Sequence, residues 1–413
     1  MAAPAIRRPI VALATLLTLG SAACLSPTDP PAGQPALLEL TPAELLAGSG
    51  PQTVTLRGSR FSAGSQVRVN DEDVRTTFVN VETLRAELPE RLTALPNDLI
   101  FQVLNADDLT SSYRMLPVRQ QPLVGWEWSQ VIVTGGSWDV AVAPSGEILA
   151  GGYYSGALTR VDATNLRVIG STPTANWPYD VAIDGSRNLA YTAGLDEGQV
   201  DVIDLSTFTR TQQFRLATRP IRVALNADRT RLFATTLSDL RLVSLDVATG
   251  AAQGSGLDIQ GIGNGLALTP DGQRLWVTTT NGLVHIVSPA TLALQQTISV
   301  GGIPQDVVIN AAGTRAYVAN ENGWINVFDA ASGARLDSIP APIPFGLALQ
   351  PGSDRLWVAA SRRGEIYVID LTTGRLRGGR RVGGAPRTIV FDGLGRALIA
   401  NESGFVHIAS PVP

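Results

Sequence analysis

The sequence predicts an all-β fold in which most of the chain forms a seven-bladed β-propeller, and three observations carry that reading. A short apolar strand recurs as DVAVAP, DVAIDG, RVALNA, GLALTP, DVVINA, GLALQP and TIVFDG. These copies begin at Asp139, Asp180, Arg222, Gly265, Asp306, Gly346 and Thr388, spaced 41, 42, 43, 41, 40 and 42 residues apart. A strand-built unit of that period cannot bury its own apolar face, so its copies must stack side by side. The chain of 413 residues also contains 41 glycines and 26 prolines outside any collagen-like period, which suits many tight turns. Finally, that length exceeds one ordinary compact core unless the chain closes as a large β-array.

Before the repeats come a leader, a spacer and a smaller β domain. Arg7 and Arg8 precede the apolar stretch Val11 to Gly20, which is too short to span a bilayer, and Ser21-Ala22-Ala23 leads to Cys24, the single cysteine. This arrangement resembles a bacterial lipoprotein signal, which implies removal of residues 1–23, lipid on Cys24 and an otherwise membrane-free protein. Ser21 stands where such signals usually carry leucine, so a secreted soluble product is the alternative. Leu25 rather than aspartate follows the cysteine, and the expected location is the outer membrane, facing periplasm or cell surface. Residues 25–36 read as a proline-stiffened linker.

Residues 37–118 alternate as short strands with no trace of the later repeat. Gly58-Ser59-Arg60-Phe61, the strand VRVN ending at Asn70 and the strand LRAELP from Leu84 to Pro89 resemble those of an IPT/TIG domain. That resemblance implies an N-terminal immunoglobulin-like β-sandwich serving as spacer or interaction module, without catalysis. Residues 119–128 are expected to be a connector.

Each repeat then reads as four strands. After the apolar strand comes one such as RAYVAN (Arg315 to Asn320) or RLWVAA (Arg355 to Ala360), then an alternating one such as GEIYVID, then a variable fourth. Near-continuous aliphatics predict that the first strand is buried on both faces beside the axis. RAYVAN and RLWVAA, with Pro-x-x-V ahead and V-I-D after, are similar to the YVTN family of seven-bladed propellers, which implies the fold and a surface-layer kinship. The last repeat stops at Pro411-Val412-Pro413 without a fourth strand, whereas SQVIVTGG (129–136) matches the fourth-strand segment QQTISVGG. The expected propeller is therefore 129–413, closed by the strand 129–136 so that no edge stays open.

Aligning the repeats places Trp138, Tyr179, Ile221, Asn264, Gln305, Phe345 and Arg387 at one position entering the innermost strand. The next position holds Asp139, Asp180, Arg222, Gly265, Asp306, Gly346 and Thr388. Positions that only maintain a repeat should recur in type, and these vary in size and charge. Trp138, Asp139, Tyr179, Asp180, Arg222, Asn264, Gln305, Asp306, Phe345 and Arg387 are accordingly the candidate ligand-binding mouth of the channel, the alternative being that these loops merely cap strands with the aspartates bonding nearby backbone amides. Loops between strands two and three add Tyr153, Tyr154, Asp196, Glu197, Asn320, Glu321, Arg362, Arg363, Asn401 and Glu402, which otherwise read as solvated turn residues.

Regular positions read as framework. Asp162, Asp204, Asp246, Asp329 and Asp370 end third strands, Arg231, Arg274, Arg315, Arg355 and Arg396 begin second strands, and His285 and His407, the only histidines, share one third-strand position. One cysteine and two separated histidines exclude a zinc set, and no nucleophile elbow or H-E-x-x-H pair occurs. A formal net charge of −4, with every one of the 32 basic residues an arginine, gives no footprint for nucleic acid. The expectation is a non-catalytic envelope lipoprotein, without cofactor, binding a protein, polysaccharide or small ligand. One alternative is a calcium-assisted, lactonase-like hydrolase using Asp139, Asp180, Asn264 and Asp306. Another is a structural surface-layer protein.

Overall fold

Period-two alternation decides where this chain extends, and its glycine, asparagine and aspartate clusters decide where it reverses. In the computed structural model, which describes residues 33–412, these signals yield one eight-stranded sheet followed by seven four-stranded sheets. The leader, Cys24 and the spacer as far as residue 32 lie outside the described residues.

The N-terminal sandwich begins with Ala36–Thr41 paired antiparallel to Gln52–Ser59 and ends with Arg114–Arg119, against which Leu45–Leu46 runs parallel. Alternate residues of its strands, among them Val54, Leu56, Val67, Leu84 and Phe101, are fully buried. Gly58 of the G-x-x-F motif is fixed by space, because a Cβ there would meet the Ala36 carbonyl and the Phe61 ring.

The first blade runs Ser137–Val142, Ile148–Gly152, Ala157–Asp162 and Arg167–Pro173 as an antiparallel meander, and five further blades repeat it. The seventh takes Pro386–Phe391, Ala397–Asn401 and Phe405–Pro411 from the end of the chain and Trp126–Ile132 from before the first blade. This closing strand begins three residues ahead of the predicted 129–136 and stops at Ile132. Gly135 and Gly136 adopt φ of 84° and 71° and turn the chain toward the first blade, while Trp126 and Trp128 pack on Trp357 of the sixth.

Burial also differs from the sequence reading. Second strands such as Ile148–Gly152 and Leu275–Thr279 are buried throughout, whereas innermost strands such as Pro178–Asp184 and Pro304–Ile309 mix buried with half-buried residues because they border the channel. The third strands hide polar residues between blades: His285 sits 2.9 Å from the Ile259 carbonyl and 3.0 Å from Thr297, and His407 lies 3.1 Å from Asn401. Burial, with Arg380 nearby, pushes the His407 pKa down to about 4.

The regular charged positions have regular tasks. Asp162 accepts the Thr164 and Asn165 amides at 2.8 and 3.0 Å, and Asp204, Asp246, Asp329 and Asp370 cap their turns alike, with pKa values lowered by those bonds. Arg231 reaches the Ala290 carbonyl at 2.6 Å and Arg396 the Ala163 carbonyl at 2.5 Å, each tying its blade to the next.

The sandwich is docked on the propeller. Arg375 of the sixth blade forks onto Glu90 at 2.6 and 3.0 Å, and the Gly48 backbone lies against the Leu376 carbonyl. The connector runs beside the outer strand of that blade, where Leu123 donates to the Gly379 carbonyl at 3.0 Å and Gly379 to the Gln121 carbonyl at 2.8 Å. Gly378 and Gly379 permit this approach, since a Cβ at either would strike Pro122 or Gln120. The linkage between the two domains is therefore a packed, hydrogen-bonded contact.

Candidate ligand-binding face at the channel mouth

In six of the seven blades the register between innermost and second strand slips near the strand's start, as between Ser137 and Val140, Pro178 and Val181, or Pro386 and Ile389. An extra residue there bends the strand and re-aims its side chains. The two aligned candidate positions lie at these bulges and form two tiers around the axis.

The lower tier joins blade to blade. Asp139 accepts the Val181 amide at 2.9 Å, Asp180 the Val223 amide at 2.7 Å and Asp306 the Leu347 amide at 2.9 Å, each from the following blade. Across the seam, the Thr388 hydroxyl donates to the Trp138 carbonyl at 3.2 Å. At Gly265 and Gly346 the adjacent backbone, Asp306 and Arg387 respectively, occupies the space a Cβ would need. The variation that the sequence reading assigns to a ligand at these positions thus has a structural cause.

Arg222 stands at the centre of this tier. Its Nη1 lies 3.1 Å from Asp180 Oδ1, its Nε donates to the Asn264 carbonyl at 2.5 Å, and the guanidinium sits 5.5 Å over Tyr179. Burial opposes its charge, yet the carboxylates around it, Asp180 foremost, hold its pKa above the ordinary guanidinium value. Burial raises the pKa of Asp139 well above the carboxylate range, the Asp180 charge adding to the effect, and burial also raises that of Asp306. A cavity of about 330 Å³ is lined by this tier and by Val140, Val142, Val181, Leu266 and Phe391 further along the innermost strands. Of the four proposed calcium ligands, the three carboxylates each hold a backbone amide, Asn264 bonds Gln305, and the cation among them is Arg222. Among the described residues no three His, Cys, Asp or Glu side chains are grouped to hold a metal.

The upper tier divides in two. Blades six, seven, one and two bring together Phe345, Arg387, Trp138 and Tyr179. The Arg387 guanidinium lies 3.9 Å from the Trp138 ring and 4.6 Å from Phe345, and Trp138 lies 4.4 Å from Tyr179. Tyr153 joins them at 5.0 Å from Trp138, with Tyr154 edge-on at 4.8 Å. Glu402 pairs with Arg387 and accepts the Tyr154 hydroxyl at 2.7 Å; burial works against its charge, but these bonds outweigh it and lower its pKa. Burial lifts the Tyr179 pKa to about 12. On the other side, blades four and five form an amide chain. Asn264 donates to Gln305 at 3.0 Å, Gln305 to Glu321 at 2.9 Å, and Arg362 pairs with Glu321 at 2.8 Å.

The remaining loop candidates separate by role. Asn320 and Asn401 are buried and brace their own loops, accepting the amides of Ile303 and Ala385. Arg363 turns to Glu365 and Tyr367, while Asp196 meets Arg219 at 3.5 Å and Glu197 lies 3.4 Å from the Asn176 amide. One member of the cluster escapes the sequence reading. Trp177 stacks on Tyr153 at 5.8 Å and 17° and remains 39% exposed. It precedes Pro178, two residues ahead of the aligned Tyr179; the density of aromatics in YY and NWPY was the available signal.

Residues 35–115 match the family model of the IPT/TIG domain. Among curated proteins no sequence matches the chain. Solved structures share its architecture: Kuenenia stuttgartiensis hydrazine synthase aligns with a TM-score of 0.61 and 15% identity, covering 67% of this chain and 95% of that one. The β-propeller domain of Myceliophteria thermophila Cps50 (Swd1) aligns with a TM-score of 0.59 and 16% identity, covering 69% and 99%. At these identities the likeness is one of fold. The chain therefore combines an N-terminal immunoglobulin-like domain matching the IPT/TIG model with a seven-bladed β-propeller.

Proposed function

We propose that this chain is a non-catalytic cell-envelope lipoprotein, anchored through Cys24, whose channel-mouth face binds an envelope protein, a polysaccharide or a small ligand. One observation carries the reading: the upper tier gathers six aromatic rings from several blades around one spot, two of them well exposed, and only Tyr154 among them spends its side chain on a hydrogen bond to another blade. Exposed aromatics on a rigid scaffold are the usual anchors of recognition. The lower tier supports a non-catalytic role, since its carboxylates are engaged by backbone amides and by Arg222. The leader supports the location, because a lone cysteine after small residues suits lipidation better than an exporting context without a partner thiol.

Crosslinked affinity capture from intact cells tests partner and place together. The full chain is expected to retain a specific partner that the Tyr154→Ala/Trp177→Ala variant loses. Equal capture by both would remove the proposed face.

A further inference from the structure

We propose that the ligand of this mouth is a neutral oligosaccharide, held by sugar rings stacking on Trp177 and the tyrosines beside it. This rests on the mouth being the binding face and adds the chemistry of what binds there. The near-parallel Trp177 and Tyr153 rings, 5.8 Å apart at 17°, with Tyr154 63% exposed next to them, offer flat apolar faces of the kind the C–H face of a pyranose covers.

Charge narrows the class. The charged side chains placed beside the platform are engaged: Arg387 with Glu402, Arg219 with Asp196, and Glu197 with the Asn176 amide at 3.4 Å. A cation seeking an aromatic cage would find Arg387 already over Trp138 and Phe345. An anion seeking Arg387 would have to displace Glu402. Sugar hydroxyls need do neither, since each can accept from a guanidinium and donate to its carboxylate without separating the pair.

Hydrogen-bonding capacity is also left over at this spot. Trp138 Nε1 is buried without a partner, and no side chain among the described residues bonds the Tyr153 or Tyr179 hydroxyl.

The test is binding of the full chain to a printed array of neutral and charged oligosaccharides, followed by calorimetric titration of the strongest neutral hit. Trp177→Ala should weaken that affinity at least tenfold while the melting temperature stays within about 1 °C, and Trp324→Ala, an exposed tryptophan on the fifth blade, should leave it unchanged. Charged analogues of the same sugar should bind less tightly. Absence of any neutral hit, or stronger binding of the charged analogue, overturns the proposal. If Trp177→Ala nevertheless abolishes capture of an envelope protein, the mouth stands and only the sugar falls. Equal sugar binding by Trp177→Ala and the parent removes the stacking platform.

Discussion

The two halves of the mouth are built on the same backbone and reach opposite characters. Blades one and two enter their innermost strands through bulges at Trp138 and Tyr179, blades four and five through bulges at Asn264 and Gln305. One half becomes an aromatic cluster around a paired arginine, and the other a chain of amides ending on Glu321. Backbone geometry therefore sets where side chains converge, and the side chains alone set what they offer. The aromatic half straddles the seam where the first and last blades meet, so its integrity depends on ring closure.

The strongest way to break that contrast is to open the seam. Deleting Ser129 to Thr134 removes most of the strand paired with Phe405–Pro411, and the melting temperature should fall by more than about 10 °C, with the fluorescence of Trp138 and Trp177 changing in the same transition. A deletion variant that melts like the parent would show that the ring does not rely on this strand. Removing the cation that stands between the halves comes next. Arg222→Met leaves Asp180 without its partner and should cost about 3–5 kcal/mol near neutral pH in chemical denaturation. The loss should shrink toward pH 4. Asp139 and Asp306 have raised pKa values in the fold, so they favour it when protonated and lose that contribution as pH rises.

His407, beside the seam in the seventh blade, sharpens the comparison by pH alone. Its folded pKa lies below its unfolded value, so the stability it permits is present above about pH 6.5 and is lost as pH falls toward 4. The loss should be at most about 3 kcal/mol and should vanish in His407→Gln, measured by denaturation at pH 7 and pH 4.5. The smallest expected effect is that of calcium. With Arg222 occupying the acidic tier, millimolar calcium or a chelator should shift the melting temperature by less than about 1 °C; a clear rise would revive the hydrolase alternative and sink the division of the two tiers.

What the sequence revealed follows from what recurs. Period, strand order and the ring-closing segment recur in type, and all can be read from residues such as the aspartates that end third strands. The lower tier was legible as a place, with two readings open, and its aspartates do bond backbone amides of the following blade. Asp139 and Asp180 differ from Gly265 and Gly346 because of how close the neighbouring strand passes, which no single repeat discloses. Trp177 was missed because it lies outside the aligned pair, and its stacking on Tyr153 depends on two loops of different blades. Docking of the sandwich was invisible for a similar reason. Gly48, Gly378 and Gly379 act by having no side chain, and Glu90 lies 285 residues from Arg375.

The closing strand has a consequence for the order in which the molecule can assemble. Gln130 pairs with His407, 277 residues later, so the segment made early is the last to find its partner. Contacts of such sequence separation are slow to form, and a strand with an open edge is prone to pair wrongly in the meantime. The connector shortens that exposure. Once the sixth blade exists, Gly379 can hold Gln121 and Leu123, and Trp357 can hold Trp126 and Trp128, before the seventh blade has been made. The strand is then parked within reach of its site, and the end of the chain has only to fold onto it.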